Sequence, residues 1–264
     1  MLTAVKNQAK ISWLSIKYAI MRELLNKVTF FTNIIFMILN NAGFIIQWAV
    51  LYSLRDNIGG YSFQEVLLLW GMAAGSYGVS RFFFKKAFSL SEIINEGKLD
   101  SFLVQPKNVL LSVITTDVEP SAIGDIIYGY IILFIFGFTI ERFFLFTLFS
   151  ITSGIFVTAI AIILGSLSFW FSNTESVADV GNSLMTNFAT YPDGIFKGIA
   201  KMLLFTLVPV GIANYIPVEV MIKFSPLSFV IVLGATAFII CLAFIIFYKG
   251  LKRYSSSNLM VAKI

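Results

Sequence analysis

Histidine is missing from all 264 residues, and cysteine occurs once, at position 241. Without imidazole there is no His-based catalytic triad, no His metal site and no His proton relay. A single cysteine forms no disulfide within the chain, so its usage says nothing of the redox compartment. Cys241 lies in an apolar run and reads as a small packing residue. Charge is scarce as well: 12% of residues are Asp, Glu, Lys or Arg, against roughly 25% in a soluble domain. No Gly-x-x-x-x-Gly-Lys-Ser/Thr phosphate loop occurs anywhere in the sequence.

What is present is apolar. Hydrophobic residues make up 58% of the chain, Phe alone contributes 28 residues, and the mean hydropathy is +0.87. One protein core could not bury so many large side chains, so lipid must cover them. A spanning helix takes about 20 apolar residues to cross a hydrocarbon layer roughly 30 Å thick. The chain has room for about six such helices and one sizeable loop. The expected fold is an all-α membrane protein with one transmembrane domain over residues 1–264. The net charge of +5 does not point to nucleic acid. Of the 19 Lys and Arg residues, 14 fall in three blocks, Lys6 to Lys27, Arg81 to Lys107 and Lys249 to Lys263. Each block lies where an even number of spans returns the chain to one side, and Lys and Arg in short loops mark the cytoplasmic face.

Residues 1–26 show helical spacing at Leu2, Val5, Ala9, Trp13, Ile16, Ile20 and Leu24, with Lys6, Lys10 and Lys17 on another face. This pattern suits a helix lying in the cytoplasmic interface. A secretory signal fits less well, because the next apolar block is too long and no small-residue cleavage site follows it. Spans are expected at about 28–53, 63–84, 123–140, 143–169 and 227–248, with external turns at Leu54 to Tyr61 and at Glu141-Arg142. Gly71 and Gly75, four apart in the second span, permit close approach of another helix. Residues 249–264 form a basic cytoplasmic tail.

The remaining span has two candidates. Hydropathy favours 202–222, but Pro209, Gly211, Asn214 and Pro217 argue against a straight helix there. The stretch 168–188 is less apolar and helical in pattern, with Glu175, Asp179, Asn182 and Thr186 on one face. A carboxylate facing lipid at mid-membrane costs about 2.5–3.5 kcal/mol. That stripe must therefore face a wet cavity, or the segment is a surface helix. The first choice is favoured, which leaves 193–222 as broken, re-entrant external segments whose backbone needs cover from protein or water.

Two constellations carry functional expectations. The polar insert at 85–120 is too long for a passive turn between spans. Ile93, Ile94, Leu99, Phe102 and Leu103 are interleaved with Glu92, Glu96, Lys98 and Asp100, with Gly97 able to break a helix and Pro106 able to stop one. Such an element fits a groove in a soluble partner, or it packs on the membrane surface. Separately, Asn26, Asn33, Asn40 and Gln47 recur every seven residues and form one seam along the first span. The seam is either hydrogen-bonded helix contact or a wall of a translocation path. The Glu175, Asp179 and Asn182 stripe faces the same choice, and a cavity-lining Glu175 would favour cationic substrates.

With these features in place, the chain resembles the permease subunits of ABC transporters in the type-2 exporter class. The likeness rests on the basic N-terminal helix, two spans, and the loop Glu92-Ile-Ile-Asn-Glu-Gly-Lys-Leu-Asp-Ser-Phe-Leu-Val-Gln-Pro-Lys107. Further along, Tyr191-Pro192, the Pro209 and Pro217 stretch and Phe224-Ser-Pro226 add to it, so nearly the whole chain is covered. The resemblance implies that the loop is a coupling helix seated in a separate ATPase subunit, with Ile94, Glu96, Gly97, Leu99, Asp100 and Phe102 at that contact. It implies a second permease subunit, the same or different, around a shared path. ATP and Mg would be held by the ATPase subunit and no cofactor by this chain, in a cell membrane, expected to be a bacterial plasma membrane, with both termini cytoplasmic. Drugs, peptides, lipids and polysaccharides are all substrates of relatives of this kind.

A stand-alone secondary transporter using Glu175 and Asp179 as ion-linked carboxylates is the alternative, and it leaves the insert without a task. An intramembrane enzyme is disfavoured because no nucleophile-and-base pair or metal set stands out. The purified chain alone is expected to show no ATP hydrolysis above a detergent blank. A phosphate-release assay checks this, and turnover that co-elutes with the pure polypeptide would contradict it.

Overall fold

The computed structural model describes residues 2–171 and 174–255, and among these the chain is helical throughout, without strands. Helix α1 (Leu2–Glu23) is set off from α2 (Lys27–Tyr52) by a tight turn at Leu24–Asn26. The Asn26 side chain caps α2 by accepting from the Thr29 N–H at 3.2 Å. A hairpin with Gly59 and Gly60 at positive φ leads to α3 (Phe63–Phe84), which opens on a reciprocal Ser62–Glu65 capping box. The insert carries three short helices, α4 (Leu90–Asn95), α5 (Asp100–Leu103) and α6 (Val109–Ile114). Helices α7 (Ala122–Gly137), α8 (Ile140–Ser166) and α9 (Glu175–Ala189) follow. Then come α10 (Ile199–Leu203), a π-turn at Gly211–Tyr215, α11 (Ile216–Ile222) and α12 (Pro226–Leu251).

Helix α3 is the axis of the bundle. Thirteen of its residues, from Val66 to Ser80, are buried, and its small residues set how closely its neighbours approach. A Cβ at Gly71 would stand 2.8 Å from Ile132 of α7, one at Gly75 2.7 Å from the Ser150 hydroxyl of α8, and one at Gly78 2.9 Å from the Ala122 carbonyl. From the other side, a Cβ at Gly129 would stand 2.8 Å from the Gly71 carbonyl, and one at Gly154 2.8 Å from the Ser76 carbonyl. Ser80 and Thr158 share a buried hydroxyl bond of 2.7 Å. Small residues let backbones meet where lipid supplies no hydrophobic drive between helices. The same pairings give the directions: α3 runs antiparallel to α7 and parallel to α8.

Contacts elsewhere extend the alternation. Helix α2 runs with α7, Ile34 lying against Gly124 and Asn41 bonding Asp125. Helix α9 runs back along α8, from Thr174 beside Ser168 to Gly181 over Leu164. Helix α12 runs with α8, from Phe229 beside Phe149 to Gly250 against Phe169. Three helical stretches, Val5–Tyr52, Ile140–Phe169 and Pro226–Leu251, are long and apolar enough to cross a membrane, and Ala122–Gly137 and Gly211–Ile222 are shorter apolar helices. Helix α3 is less apolar, Gly, Ala and Ser making up seven of its thirteen buried residues.

Several expectations shift in detail. The turn expected at Glu141-Arg142 lies earlier: Thr139 caps α8, accepting from the Arg142 N–H at 3.2 Å, and Glu141 sits in the first turn, where the helix dipole favours an acid. The helix expected over 168–188 starts only at Glu175; residues 172–173 lie outside the described residues. The apolar stretch 202–222 is broken, as its prolines require. Pro217 lacks an amide hydrogen, and the π-turn at Gly211–Tyr215 absorbs the lost bond before α11 begins. Cys241 is exposed on α12 rather than packed in the bundle. The basic tail expected to 264 is described only to residue 255.

Gly129→Val places side-chain atoms against the α3 backbone, and overpacking of this kind costs about 1–3 kcal/mol. Gly43→Ala, in α2, meets nothing within 4 Å. Thermal unfolding in detergent, followed by fluorescence-detected size exclusion, is expected to show a clear loss of melting temperature for the first substitution and none for the second.

Candidate functional site

The insert is built as a bracket with one face sealed against the bundle. Leu90, Ile93, Ile94 and Leu99 join Leu110, Val113, Ala159, Ile162, Ala243 and Phe247 in one buried cluster. Helix α4 approaches α8 so closely that a Cβ at Gly165 would stand 2.8 Å from the Leu90 Cβ. Around this contact the hydroxyls of Ser91, Ser168 and Thr174 form a chain with two links of 2.5 Å. Helix α4 ends in a Schellman motif: Gly97 sits at φ +72°, its N–H reaches the Ile94 carbonyl at 3.2 Å, and the Lys98 N–H reaches the Ile93 carbonyl at 3.0 Å. Glycine tolerates this left-handed backbone at no steric cost.

Three further ties hold the bracket. Asn95 Nδ2 donates to Glu175 Oε1 at 2.8 Å, joining the insert to the start of α9. The Tyr254 hydroxyl donates to Asp100 Oδ1 at 2.9 Å, and its ring meets Phe169 edge-on, joining the insert to the chain beyond α12. Burial first, then the bond to Asp100, pushes the Tyr254 phenol above its ordinary range. Gln8 Oε1 of α1 accepts the Asn108 N–H at 3.0 Å. At the base of the insert, Arg22 and Lys86 both pair with Asp117, and Lys85 pairs with Glu119 at 3.4 Å. Lys98 bridges Glu96 and Glu92, and its hydrogen bond holds the Glu92 carboxyl below the usual value.

Among the described residues, the outward face of the bracket carries apolar side chains left exposed. Val104 is 84% and Leu103 41% exposed, flanked by the exposed Glu96, Lys98, Ser101, Pro106 and Lys107. The structure thus divides the residues expected at a partner contact. Ile94, 6% exposed, and Leu99, 0% exposed, are turned into the chain's own core. Gly97, Asp100 and Phe102 are half-buried, and Glu96 is exposed. Val104 was missed by sequence reading; its signal was an apolar pair, Leu103-Val104, running up to a proline beyond the last helical turn.

A second feature lies within the bundle. A cavity of about 500 Å³ opens between α2, α3, α7 and α9. Asn40 and Gln47 of the polar seam line it, while Asn33 lines an adjoining depression with Asn40, Glu119 and Ser121. Asn26 is the α2 cap and belongs to neither. From the acidic stripe only Thr186 reaches the cavity. Asn182 is buried, Asp179 is exposed, and Glu175 is exposed and held by Asn95. Glu175 and Asp179 therefore do not line this cavity, because α9 begins at the level of the insert and its first two turns lie below the opening. Asp125, Asn41 and Arg81, which do line it, were not among the residues expected along a path. Asp125 had a readable signal, being the one acidic or basic side chain in an otherwise apolar helix.

The model of the ABC-2 family transporter proteins matches residues 24–258 of this chain. Comparison with curated proteins and with solved structures returned no match.

The Asn95–Glu175 bond is expected to steady α4. Glu175→Ala should raise backbone hydrogen exchange over Leu90–Asn95 about two- to fivefold, the size of one exposed hydrogen bond. Glu175→Gln, which keeps an acceptor, should leave exchange near the native rate.

Proposed function

The chain belongs to the ABC-2 family of transporter proteins, and from that premise we propose that this membrane permease forms half of an ATP-driven exporter and takes its drive from a separate ATPase subunit docked on the insert. Family members generally pair with an ABC ATPase. The observation that carries the assignment here is the exposed Leu103-Val104 edge on an insert whose other face is locked into the bundle. A side chain as apolar as Val104 gains by burial in a partner groove, and its charged rim supplies orientation. ATP and Mg would be bound on that partner.

The alternating helices support a six-crossing topology made by α2, α3, α7, α8, α9 and α12. The basic residues of α1, the insert and the tail then lie on one cytoplasmic side, as expected in a bacterial plasma membrane. Helices α7 and α9, with 16 and 15 residues, span only about 24 and 22 Å at 1.5 Å per residue. They depend on neighbours and flanking turns to complete a crossing. Residues 193–222 are read as a broken external segment, whose helical part around Tyr215 and Val218 is covered by protein.

The exposed amides Asn33, Asn40 and Gln47 make lipid a poor neighbour for that face of α2, which favours a second permease subunit there. ATP-dependent closure of two ATPases would push the two inserts and bias the bundles between two states. Through Ser91, Asn95 and Asp100 the push reaches α8, α9 and the end of α12.

The test is co-purification with the cognate ATPase in mild detergent. Val104→Asp and Leu103→Asp are expected to lower recovery of the ATPase at least about tenfold, the scale of losing one interface anchor, without changing the permease's melting temperature. Leu99→Asp, by contrast, should destabilise the permease itself. Transport by the purified permease on an ion gradient alone would overturn the reading.

A further inference from the structure

The cavity between α2, α3, α7 and α9 has a chemistry of its own. Phe44 and Trp70 stack at 4.5 Å on one side of it, and Trp48 and Tyr191 meet edge-on at 5.9 Å on another. The amides of Asn40, Gln47 and Asn187 line it as well. Two polar atoms of the lining residues, both themselves buried, lack partners. The Trp70 indole N–H makes no hydrogen bond, and the Tyr77 hydroxyl, on a side chain only 9% exposed, lies near Thr186 but makes none of ordinary geometry. Buried donors left unmet are costly and rare in native proteins. The indole N–H can only donate and the hydroxyl can donate, so an acceptor would satisfy both.

The charges at the cavity floor balance in sign once Lys85 is counted. Glu119 pairs with Lys85 at 3.4 Å. Asp125 accepts from Asn41 Nδ2 at 2.6 Å. Arg81, one charge against Asp125, rests over the Phe88 ring at 4.4 Å. A charged occupant would leave water for a lining with no net excess of the opposite sign. An occupant that stacks on rings and offers oxygen acceptors meets what the lining leaves open, and a volume of about 500 Å³ is in the range of small-molecule sites.

We propose that this cavity is a binding site, within a single permease chain, for an uncharged amphipathic molecule that presents a flat aromatic or sugar face to Trp48 and Trp70 and oxygen acceptors to Trp70, Tyr77 and the surrounding amides. This rests on the transport reading, since such a site would hold cargo beside the path. It also admits ligand from the side, because Asn40 and Gln47 lie at its exposed edge on α2.

The chain has four tryptophans, Trp13, Trp48, Trp70 and Trp170, of which only Trp48 and Trp70 line the cavity. The full-length protein is placed in phosphatidylcholine nanodiscs without ATPase and titrated with 4-nitrophenyl β-D-glucoside, an uncharged quencher of tryptophan fluorescence. Saturable quenching is expected, retained in the Trp13→Phe/Trp170→Phe double variant and lost in Trp48→Phe/Trp70→Phe. Tyr77→Phe and the peripheral Gln47→Leu should each weaken binding about two- to tenfold, the range of one hydrogen bond, with melting temperatures unchanged. 4-Nitrobenzoate and 4-nitrobenzyltrimethylammonium, the anionic and cationic counterparts, should bind at least about tenfold more weakly. Quenching that does not saturate, that is carried by Trp13 and Trp170, or that favours either ion would overturn the proposal. Because no ATPase is present, this outcome is independent of co-purification: binding can fail while docking holds, and the reverse.

Discussion

Close backbone contact along α3 is the constraint on which the rest of the structure depends. In a bilayer, apolar side chains gain little by exchanging lipid for protein, so association relies on fit and on hydrogen bonds. Gly71, Gly75 and Gly78 bring α7 and α8 against α3, and Ser80 bonds Thr158 inside that contact. With this trio fixed, α2 lies along α7 while α9 and α12 lie along α8. Helix α2 then remains peripheral and largely exposed, with its polar seam facing sideways. The cavity exists because α2 and α9 flank the trio without closing over it.

The same rigidity gives the insert its character. It is short in helix and rich in ties, and those ties go to different elements: Leu90 and Ser91 to α8, Asn95 to α9, Asp100 to Tyr254 beyond α12, and Asn108 to α1. A loop fastened this way transmits displacement instead of absorbing it. Its inward residues, Ile94 and Leu99, serve by anchorage, and its outward edge at Leu103-Val104 is left for contact. In the proposed assembly, force enters at the edge and leaves through α8, α9 and α12.

Much of the architecture was legible in the sequence because it follows from hydropathy and charge. The limits expected for α2 and α3 agree with the structure to within a residue or so, the Gly71 and Gly75 spacing announced a close contact, and Gly97 ends α4 as its conformational freedom suggests. The errors share a cause: sequence gives periodicity along a helix, but not the depth at which that helix starts. Glu175 and Asp179 shared a face with Asn182 and Thr186, yet α9 begins so near the insert that only its upper turns reach the cavity. Alternation of polar and apolar residues marked the insert as amphipathic. It could not say that Leu99 faces the chain's own core while Val104, just past the helical turn, faces out. Asp125 was readable as a lone charge in an apolar helix, but its partner Asn41 lies 84 positions away, a pairing that only the packing of α2 on α7 reveals.

The central claim is that the insert is the seat of an ATP-binding subunit. Its most direct test is site-specific photocross-linking from position 104 in native membranes, with the adducts identified by mass spectrometry. The account predicts a covalent adduct to the cognate nucleotide-binding subunit from position 104 and none from position 99, which is sealed inside the bundle. Adducts to lipid alone from position 104 in membranes that contain that subunit would contradict it.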